Sequence, residues 1–483
     1  MSISRALSNA TSGLSATALR ASIASNNVAN ANNPGYARRD LSVAERAYGG
    51  VISSGVNRAQ DLVLTADRRI AEASYTRADV TANSRIQFSQ ALGDPETGYG
   101  LFSVFQNFES TLTDLSVTPE SAALQNALLL AGNDLTAEFN NLNDMIIQER
   151  VAADEAIAAG VETINKALED IRTINKSLMS ADPASEAAAN LQDQREALID
   201  DVSRLVPVKV IRSDNDQVHL MTREGVYLLS EKVHEVEFTR TSAITAGDSY
   251  PTTGLSGLSV NGVDITPGGS SQMAIQSGGM AGYFDIRDRI APEFQTQVDA
   301  LAADLVSRFE SAGIDPTLTA GDAGLFTDDG AALNPADIAG LAGRLSINAA
   351  VDPALGGDLW RLRDGINATA EGPTGNGAIF NNMIDALTTK NSSLGGAGLP
   401  GNFSMAESIA EVNGAVGEAR TRAEATTASA MARADILAQA ELKVSAVDTD
   451  QEMQALLMIE QAYAANARVI QAVNDMMRSL MEI

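Results

Sequence analysis

Apolar and small residues recur every three or four positions at both ends of the chain. Between Met1 and Asn33 there is one glycine and no proline, and the spacing predicts a helix with a narrow apolar face. The repeating positions of this helix are Ile3, Leu7, Ala10, Leu14, Thr17, Ala21, Ala24 and Val28. A second helix is predicted from about Glu452 to the end, with repeating positions Leu456, Ile459, Tyr463, Asn466, Ile470, Val473, Met477 and Leu480.

A helix with one narrow apolar face is marginal in isolation, because most helical stability in proteins comes from packing of that face. We therefore expect the two terminal helices to become ordered when other helices cover their apolar faces. The positions that we assign to subunit interfaces are Ile3, Leu7, Leu14, Ala21, Val28, Leu456, Ile459, Tyr463, Ile470, Val473, Met477 and Leu480.

The pattern changes twice between the ends. Residues 61–205 have the spacing of long helices, with Pro119 opening one of them and Pro183 interrupting the series. Residues 206–276 have a β pattern. The expected strands include Val208–Ile211, Gln217–Met221, Val226–Leu229 and Val233–Phe238, and Asn261-Gly262 between apolar residues predicts a type I′ hairpin.

Helix returns near Tyr283 and continues to Phe309, with Pro292 marking a kink or a late start. Residues 313–399 are rich in glycine, alanine, aspartate and proline, and we expect short elements and loops there. The last helical stretch begins near Phe403.

The predicted fold is mainly α with an inserted β domain, in an elongated, multi-domain chain whose long helical or coiled-coil body comes from both chain ends. The predicted domains are a terminal helical domain (1–60 plus 435–483), a helical body (61–205 plus 277–434, with loop-rich 313–399) and a β-rich outer domain (206–276).

Composition narrows the classes of function. There are 34 basic and 62 acidic residues, which gives a formal net charge of −28, and a surface so negative repels nucleic acid unless the cations are segregated. The absence of cysteine and the presence of only two histidines argue against disulfide scaffolds, thiolate sites and histidine-rich metal sites. The sequence contains neither an apolar run long enough to span a membrane nor a secretory signal pattern. We expect no cofactor, no nucleic acid and no membrane insertion.

Motifs that would indicate catalysis are incomplete. The glycine-rich segment Gly372–Gly377 lacks both a preceding strand and the following Lys-Ser/Thr of a phosphate-binding loop. Gly254-Leu255-Ser256-Gly257 lacks the final glycine of a nucleophile elbow. Asp322, Asp328 and Asp329 do not have the spacing of a calcium-binding loop. We therefore predict that the protein is not an enzyme.

The segment Ser25–Arg38 contains more asparagine than a helix stop requires. Five of the eight residues from Asn26 to Asn33 are asparagine, and a Pro-Gly pair and Tyr36 follow. This segment resembles the signature SNNxANxxTPGYxR of the rod, hook and hook-associated axial proteins of the bacterial flagellum, with Asn33 in place of threonine. The residues that carry the resemblance are Asn26, Asn27, Asn30, Pro34, Gly35 and Tyr36.

Three further segments resemble the flagellar hook-associated protein 1 family. Leu191–Ile199 is similar to its LxDQRDxLV element, Ser277–Gly282 to its SGxLxGxL segment, and Glu460–Gln471 to its QQAYxASARVIQ ending. Together with the N-terminal signature, these matches span nearly the whole chain.

The resemblance implies a structural protein that is exported unfolded through the flagellar type III apparatus, without a cleavable signal peptide, and assembles outside the cell at the hook–filament junction. The implied partners are other copies of the chain, hook protein, hook-associated protein 3 and a cytoplasmic export chaperone that binds the C-terminal helix. The terminal helices would form the inner tube and the β segment would face outward. Some members carry a larger β-rich outer insertion, but residues 313–399 show little strand pattern, so we do not expect a third outer domain.

The sequence also allows other classes of protein. Hook protein shares the N-terminal signature, but its body is mostly β, whereas residues 61–205 have a helical pattern. Filament protein has helical ends but lacks the asparagine-rich signature. A secreted hydrolase carried in the outer insertion, or a coiled-coil effector that uses the same export route, are the alternatives from different classes.

Overall fold

A computed structural model describes residues 3–33, 35–47, 49–93, 98–182, 185–213, 216–310 and 313–481. Pro34 of the asparagine-rich signature and Pro183, which was predicted to interrupt a helix, lie outside these residues.

The two chain ends form long helices that lie antiparallel. α1 (Ile3–Ala29) packs along α11 (Thr449–Met481). A methyl group added at Gly13 would lie 3.1 Å from the Asn466 amide, so the one glycine of α1 makes room for the one polar position in the repeat of α11. Both terminal helices were predicted from their spacing, and the structure confirms them.

A β-hairpin follows α1, within residues 1–60, which were assigned to the terminal helical domain. β1 (Arg39–Glu45) pairs with β2 (Val51–Arg58) in antiparallel register, with Arg39 opposite Arg58. The predicted terminal domain is therefore helical only in part. Leu41 and Val56 on one face of the hairpin are buried against Ile23 of α1 and Ala189, which makes the hairpin the layer between α1 and the rest of the chain.

Four helices follow, as the spacing of residues 61–205 predicted. They are α2 (Leu62–Leu92), α3 (Leu101–Val117), α4 (Ala122–Ser180) and α5 (Glu186–Leu205). Asp61, Ser121 and Ser185 cap α2, α4 and α5 by accepting hydrogen bonds from backbone amides of the first turn. α4 has 59 residues and is about 90 Å long at ~1.5 Å per residue, so this one helix contributes to two separate cores.

The first core packs the N-terminal half of α4 against α3 and the later helices. After α6 (Gly279–Asp285), a π-helical turn at Ile286–Ile290 leads into α7 (Ala291–Phe309), which explains the irregularity predicted at Pro292. The other elements of this region are β9 (Phe326–Asp328), β10 (Leu345–Ile347), α8 (Arg361–Asp364), α9 (Ala378–Thr388) and α10 (Met405–Ser445). Residues 313–399 are thus short elements and loops, as predicted, and their apolar side chains belong to this core.

The second core packs the C-terminal half of α4 and α5 against the β segment. Its strands are β3 (Val208–Arg212), β4 (Val218–Thr222), β5 (Tyr227–Leu229), β6 (Val236–Glu237), β7 (Ser259–Val260) and β8 (Val263–Asp264). They form two antiparallel three-stranded sheets, β3-β4-β5 and β6-β7-β8. Asn261 and Gly262 have φ of 51° and 76°, as the predicted type I′ turn requires. The mainly α fold with an inserted β region is confirmed.

The division into three domains stays a prediction, and one of its boundaries crosses a continuous helix. The boundary between residues 434 and 435 falls inside α10, which has 41 residues and packs along α2 to its end. The chain leaves this helix at residues 446–448, before α11.

Two buried arginines fasten the β region to the helices. Arg287 donates hydrogen bonds to Asp154 of α4 at 2.7 Å and to the carbonyl of Ser256 at 2.9 Å. Arg150 donates to the carbonyls of Thr245 and Asp248 at 2.9 and 2.6 Å. Each guanidinium therefore supplies the donors that an irregular loop lacks, which fixes the loop against α4.

We predict that Arg287→Ala lowers the free energy of unfolding by about 3–5 kcal/mol, because Asp154 would remain buried without its cation. The measurement is urea denaturation followed by circular dichroism at pH 7. Arg240→Ala is the matched control, because Arg240 pairs with Glu155 at an exposed site and should cost about 0–1 kcal/mol. Equal, small losses of unfolding free energy in the two variants would contradict the role of Arg287 in holding the loop against α4.

Candidate assembly site

One face of α5 carries a row of side chains that accept hydrogen bonds. Asn190, Asp193, Glu196 and Asp200 are spaced three or four residues apart, so they lie on the same side of the helix. We call these four residues the α5 ladder. It lies between the hairpin and α2, and both supply arginines to it.

The hairpin binds the first half of the α5 ladder. Arg39 donates to Asp193 at 2.6 Å and to Asn190 at 2.7 Å, and Arg58 donates to the other carboxylate oxygen of Asp193 at 2.7 Å. The side chains of Arg39 and Arg58 are only 3% and 6% exposed. The Arg39 guanidinium also lies 4.5 Å from the centre of the Tyr36 ring. Buried, multiply bonded pairs of this kind fix one relative position of the hairpin and α5.

α2 binds the second half of the ladder. Arg69 donates to Glu196 at 2.7 Å, and both Arg68 and Arg69 donate to Asp200. Arg68 also pairs with Glu441 near the end of α10. Burial alone would lower the pKa of the Arg68 guanidinium, but Asp200, Glu72 and Glu441 outweigh it and raise that pKa. The ladder thus holds α2 and, through Arg68, α10.

Asn27 closes the connection between α1 and the hairpin. Its side-chain amide donates to the carbonyl of Arg39 at 2.8 Å, and its Oδ1 accepts from the Arg39 amide at 3.1 Å and from the Tyr36 hydroxyl at 2.8 Å. Asn27 is fully buried, and a shorter or differently shaped side chain would leave these groups without partners. This gives a physical reason for asparagine at this position of the signature.

The other signature residues lie around the same junction. Asn26 donates to Glu186 of α5 at 2.7 Å, and Asn30 donates to the carbonyl of Asn26 at 2.9 Å. Gly35 has a φ of 83°, which is costly for residues with a side chain. The signature and the segment Leu191–Ile199, which were noted separately in the sequence, are therefore joined through Arg39, whose backbone bonds to Asn27 and whose side chain bonds to Asp193.

Sequence analysis missed the α5 ladder as a site. Leu191–Ile199 was noted only as a resemblance, although its acidic residues have a helical spacing that indicates one charged face. Arg195 of the same segment lies on the opposite side of α5, where it is fully buried and donates to Asn175 and to Asp216 after β3. Burial lowers the pKa of its guanidinium, and the Asp216 carboxylate partly offsets this.

The residues predicted to form subunit interfaces fall into two groups. Ile3, Leu7, Leu14, Ala21 and Val28 of α1 are partly covered, as are Leu456, Ile459 and Ile470 of α11, and Val473 is 2% exposed. These residues lie on or near the α1–α11 contact within one chain. By contrast, Tyr463 is 47% exposed, Met477 47% and Leu480 60%, so these three remain uncovered in the single chain. Their assignment to contacts between copies stays a prediction.

The end of α10 and the whole of α11 expose much apolar surface. Among the described residues, 13 of the 25 exposed large hydrophobic side chains lie between Met431 and Met481. They include residues that the spacing did not single out: Met453, Leu457, Met458, Val469 and Met476. α11 packs chiefly on α1, so the surface that faces away from α1 has no partner in the single chain. Such an extensive apolar patch is typical of an interaction surface.

Within the described ranges, no group of three or more histidine, cysteine or acidic side chains could hold a metal ion. No helix among these residues is long and apolar enough to cross a membrane. His234 lies between the Ser230 hydroxyl at 2.9 Å and the Asn261 amide nitrogen at 2.6 Å.

Comparisons with known families agree with this geometry. Residues 7–36 match the family model described as flagella basal body rod protein, and residues 438–483 match that of the flagellar basal body rod FlgEFG protein C-terminal region. These matches cover the two terminal helices and place the chain among the axial structural proteins of the bacterial flagellum. Residues 86–324 match the flagellar hook-associated protein FlgK helical domain. The chain belongs to the flagellar hook-associated protein 1 family.

Individual relatives carry the same description. Flagellar hook-associated protein 1 of Bacillus subtilis (strain 168) is 23% identical and aligns with 96% of this chain and 95% of its own. That of Escherichia coli (strain K12) is 24% identical over 67% of this chain and 59% of its own. A solved structure, the flagellar hook junction protein FlgK from Burkholderia pseudomallei, covers 54% of this chain and 46% of its own, with 18% identity and a TM-score of 0.43.

We predict that Asn27→Ala increases the rate of tryptic cleavage between residues 38 and 58 about tenfold or more. The substitution removes three hydrogen bonds at a buried site, which should cost about 1–3 kcal/mol and favour local opening of the hairpin. Cleavage is followed by mass spectrometry on the folded chain. Asn32→Ala, at an exposed position of the same segment, is the control and should leave the rate unchanged. Equal rates in both variants would contradict the role of Asn27.

Glu196 should make the stability of the protein depend on pH. Burial raises the pKa of its carboxyl group, but Arg69 and Arg212 outweigh burial, so the pKa lies below its ordinary value of 4.5. The paired carboxylate therefore stabilises the fold at pH values above 4.5, and this contribution is lost as the pH falls through the lower pKa of the folded state. We predict that Glu196→Gln is less stable than the natural protein at pH 7 and that the difference shrinks below about pH 4. Urea midpoints at both pH values test this, with the exposed Glu169→Gln as control.

Proposed function

We propose that this chain is a structural subunit of the junction between hook and filament of the bacterial flagellum. The observation that supports this most directly is the unpartnered apolar surface of α11 and the end of α10, in a chain of the hook-associated protein 1 family. Apolar patches of this size on a single chain favour burial by other chains. The proposal assigns the protein a mechanical role and no catalytic one.

In the proposed assembly, α1 and α11 of neighbouring copies pack side by side and form the inner tube. Tyr463, Met477 and Leu480, which are exposed in one chain, then become buried between copies. The helical body forms the next shell, and the β region faces outward. The separation of the exposed apolar surface on the terminal helices from the closed cores of the body supports this arrangement.

The proposed partners are other copies of this chain, hook protein on one side and hook-associated protein 3 on the other. Before export, a cytoplasmic chaperone would cover α11, whose exposed apolar side chains would otherwise favour aggregation. We further propose export through the flagellar type III apparatus without a cleavable signal peptide, and a final location outside the cell.

Electron microscopy of the source bacterium with this gene deleted tests the proposed function, together with an assay for filament protein in the medium. Bare hooks with filament protein released into the medium would support a role at the junction. Missing hooks would instead indicate that the protein acts in the hook or the rod. Intact filaments would overturn the axial function altogether.

We predict that Leu14→Asp or Ile470→Asp abolishes incorporation into flagella while the body still folds. Either substitution places a charge in the apolar face of a terminal helix, and the two main cores do not include these residues. Incorporation is measured by immunogold labelling and swimming assays, and folding of the body by the urea transition of the purified chain. Thr163→Asp, at an exposed position of α4, is the control. Normal swimming of either terminal-helix variant would show that its position is not in an interface.

A further inference from the structure

A groove of about 340 Å³ lies where α2, α7 and α10 meet. The almost fully buried rings of Phe88 and Phe294 are stacked beneath it, with their centres 4.9 Å apart. Its rim carries the guanidinium groups of Arg85 and Arg422 and the carboxylate of Glu293. We call this feature the arginine groove.

Arg85 is one of the two arginines on the rim of this groove, and it is poorly paired. Its nearest carboxylate is Glu293, with 3.7 Å between Nη2 and Oε2, and Glu293 also faces Arg289 at 3.6 Å. Within the described ranges, Arg85 donates no hydrogen bond, although its side chain is only 22% exposed. The Arg422 guanidinium is paired with the carboxylate of Glu418. The groove therefore holds a half-buried guanidinium whose donors are largely unused.

The charges around Arg85 make an added anion favourable. Burial lowers the pKa of the Arg85 guanidinium, and the neighbouring cations Arg289 and Arg422 lower it further, whereas Glu293 opposes them. A carboxylate seated against Arg85 would relieve this repulsion and would supply the acceptors that the planar guanidinium needs for a two-point pair.

We propose that the arginine groove receives a carboxylate-bearing segment of a second copy of this chain. The inference rests on the proposed function, which brings copies side by side. Charge complementarity favours the same occupant: the chain has 62 acidic and 34 basic residues, so most of the surface of a neighbouring copy is negative and the arginine groove is a local exception. The contact lies between helical bodies and is separate from the packing of terminal helices.

In-cell photo-cross-linking tests this contact with the full chain. A benzophenone amino acid is placed at Thr426, an exposed residue of the groove rim, and flagella are irradiated and purified. We expect a covalent dimer of this chain, with the cross-linked peptide of the partner containing aspartate or glutamate. Arg85→Glu should reduce the dimer at least tenfold, whereas Arg85→Lys should retain part of it. Arg172→Glu, which changes the charge equally on the exposed side of α4, should leave the dimer unchanged.

The outcomes separate this proposal from the proposed function. If the labelled protein is found in flagella but cross-links to a different protein, or gives no product, the arginine groove is not a contact between copies and the inference is overturned. A dimer that persists unchanged in Arg85→Glu would overturn the assigned role of the guanidinium. Immunogold labelling shows whether the chain is present in flagella at all. If the labelled protein, the Arg172→Glu variant and the unlabelled chain are all absent from flagella, the proposed function is overturned, and this inference is overturned with it.

Discussion

The carboxylates of Asp193, Glu196 and Asp200 on α5 are paired with arginines from three parts of the sequence. Arg39 and Arg58 belong to the hairpin after α1, Arg68 and Arg69 belong to α2, and Arg212 belongs to β3. Buried pairs of this kind add little net stability compared with apolar packing, but losing one partner is costly. Their main consequence is therefore positional: they hold the hairpin and α2 at one place along α5.

The remaining contacts of the chain ends follow from this arrangement. α11 packs chiefly on α1, α1 is joined to the hairpin by Asn27, and the hairpin is held by Asp193. Each element depends on the one before it, so the terminal helices are supported at one end, and α11 leaves much of its apolar surface uncovered. The body, by contrast, closes two cores around α4. A rigid body that presents open helices is suited to an axial subunit, because neighbours can bury the open surface without rearranging the body.

Local patterns were sufficient to predict the helices and the β region. The repeat of Ile3, Leu14 and Val28 identified α1, and Asn261-Gly262 identified the turn between β7 and β8. In both cases the signal lies within neighbouring residues of the sequence. The hairpin at 39–58 was missed because its buried positions include Arg39 and Gly55 as well as Leu41 and Val56, so apolar and polar residues do not alternate regularly along either strand.

The candidate site could not be assembled from the sequence, because its parts are joined only by the fold. Arg39 and Asp193 are more than 150 positions apart, and neither residue is unusual in its local context. Of the α11 positions that the repeat identified, Tyr463 and Leu480 are exposed in the single chain, whereas Val473 is buried. A 3.5-residue repeat identifies an apolar face but does not say whether that face is covered by the same chain or by a neighbour.

Hydrogen exchange of the purified chain tests the central role of the α5 ladder most directly. Asp193→Asn removes the charge that holds Arg39 and Arg58 and keeps the size of the side chain. Our account predicts exchange at least tenfold faster in residues 39–58 and in α1, with α4 unchanged, and no such effect in the control Asp201→Asn at an exposed position of α5. Unchanged protection of the hairpin and α1 in Asp193→Asn would show that the terminal helices are held in place by something other than this ladder.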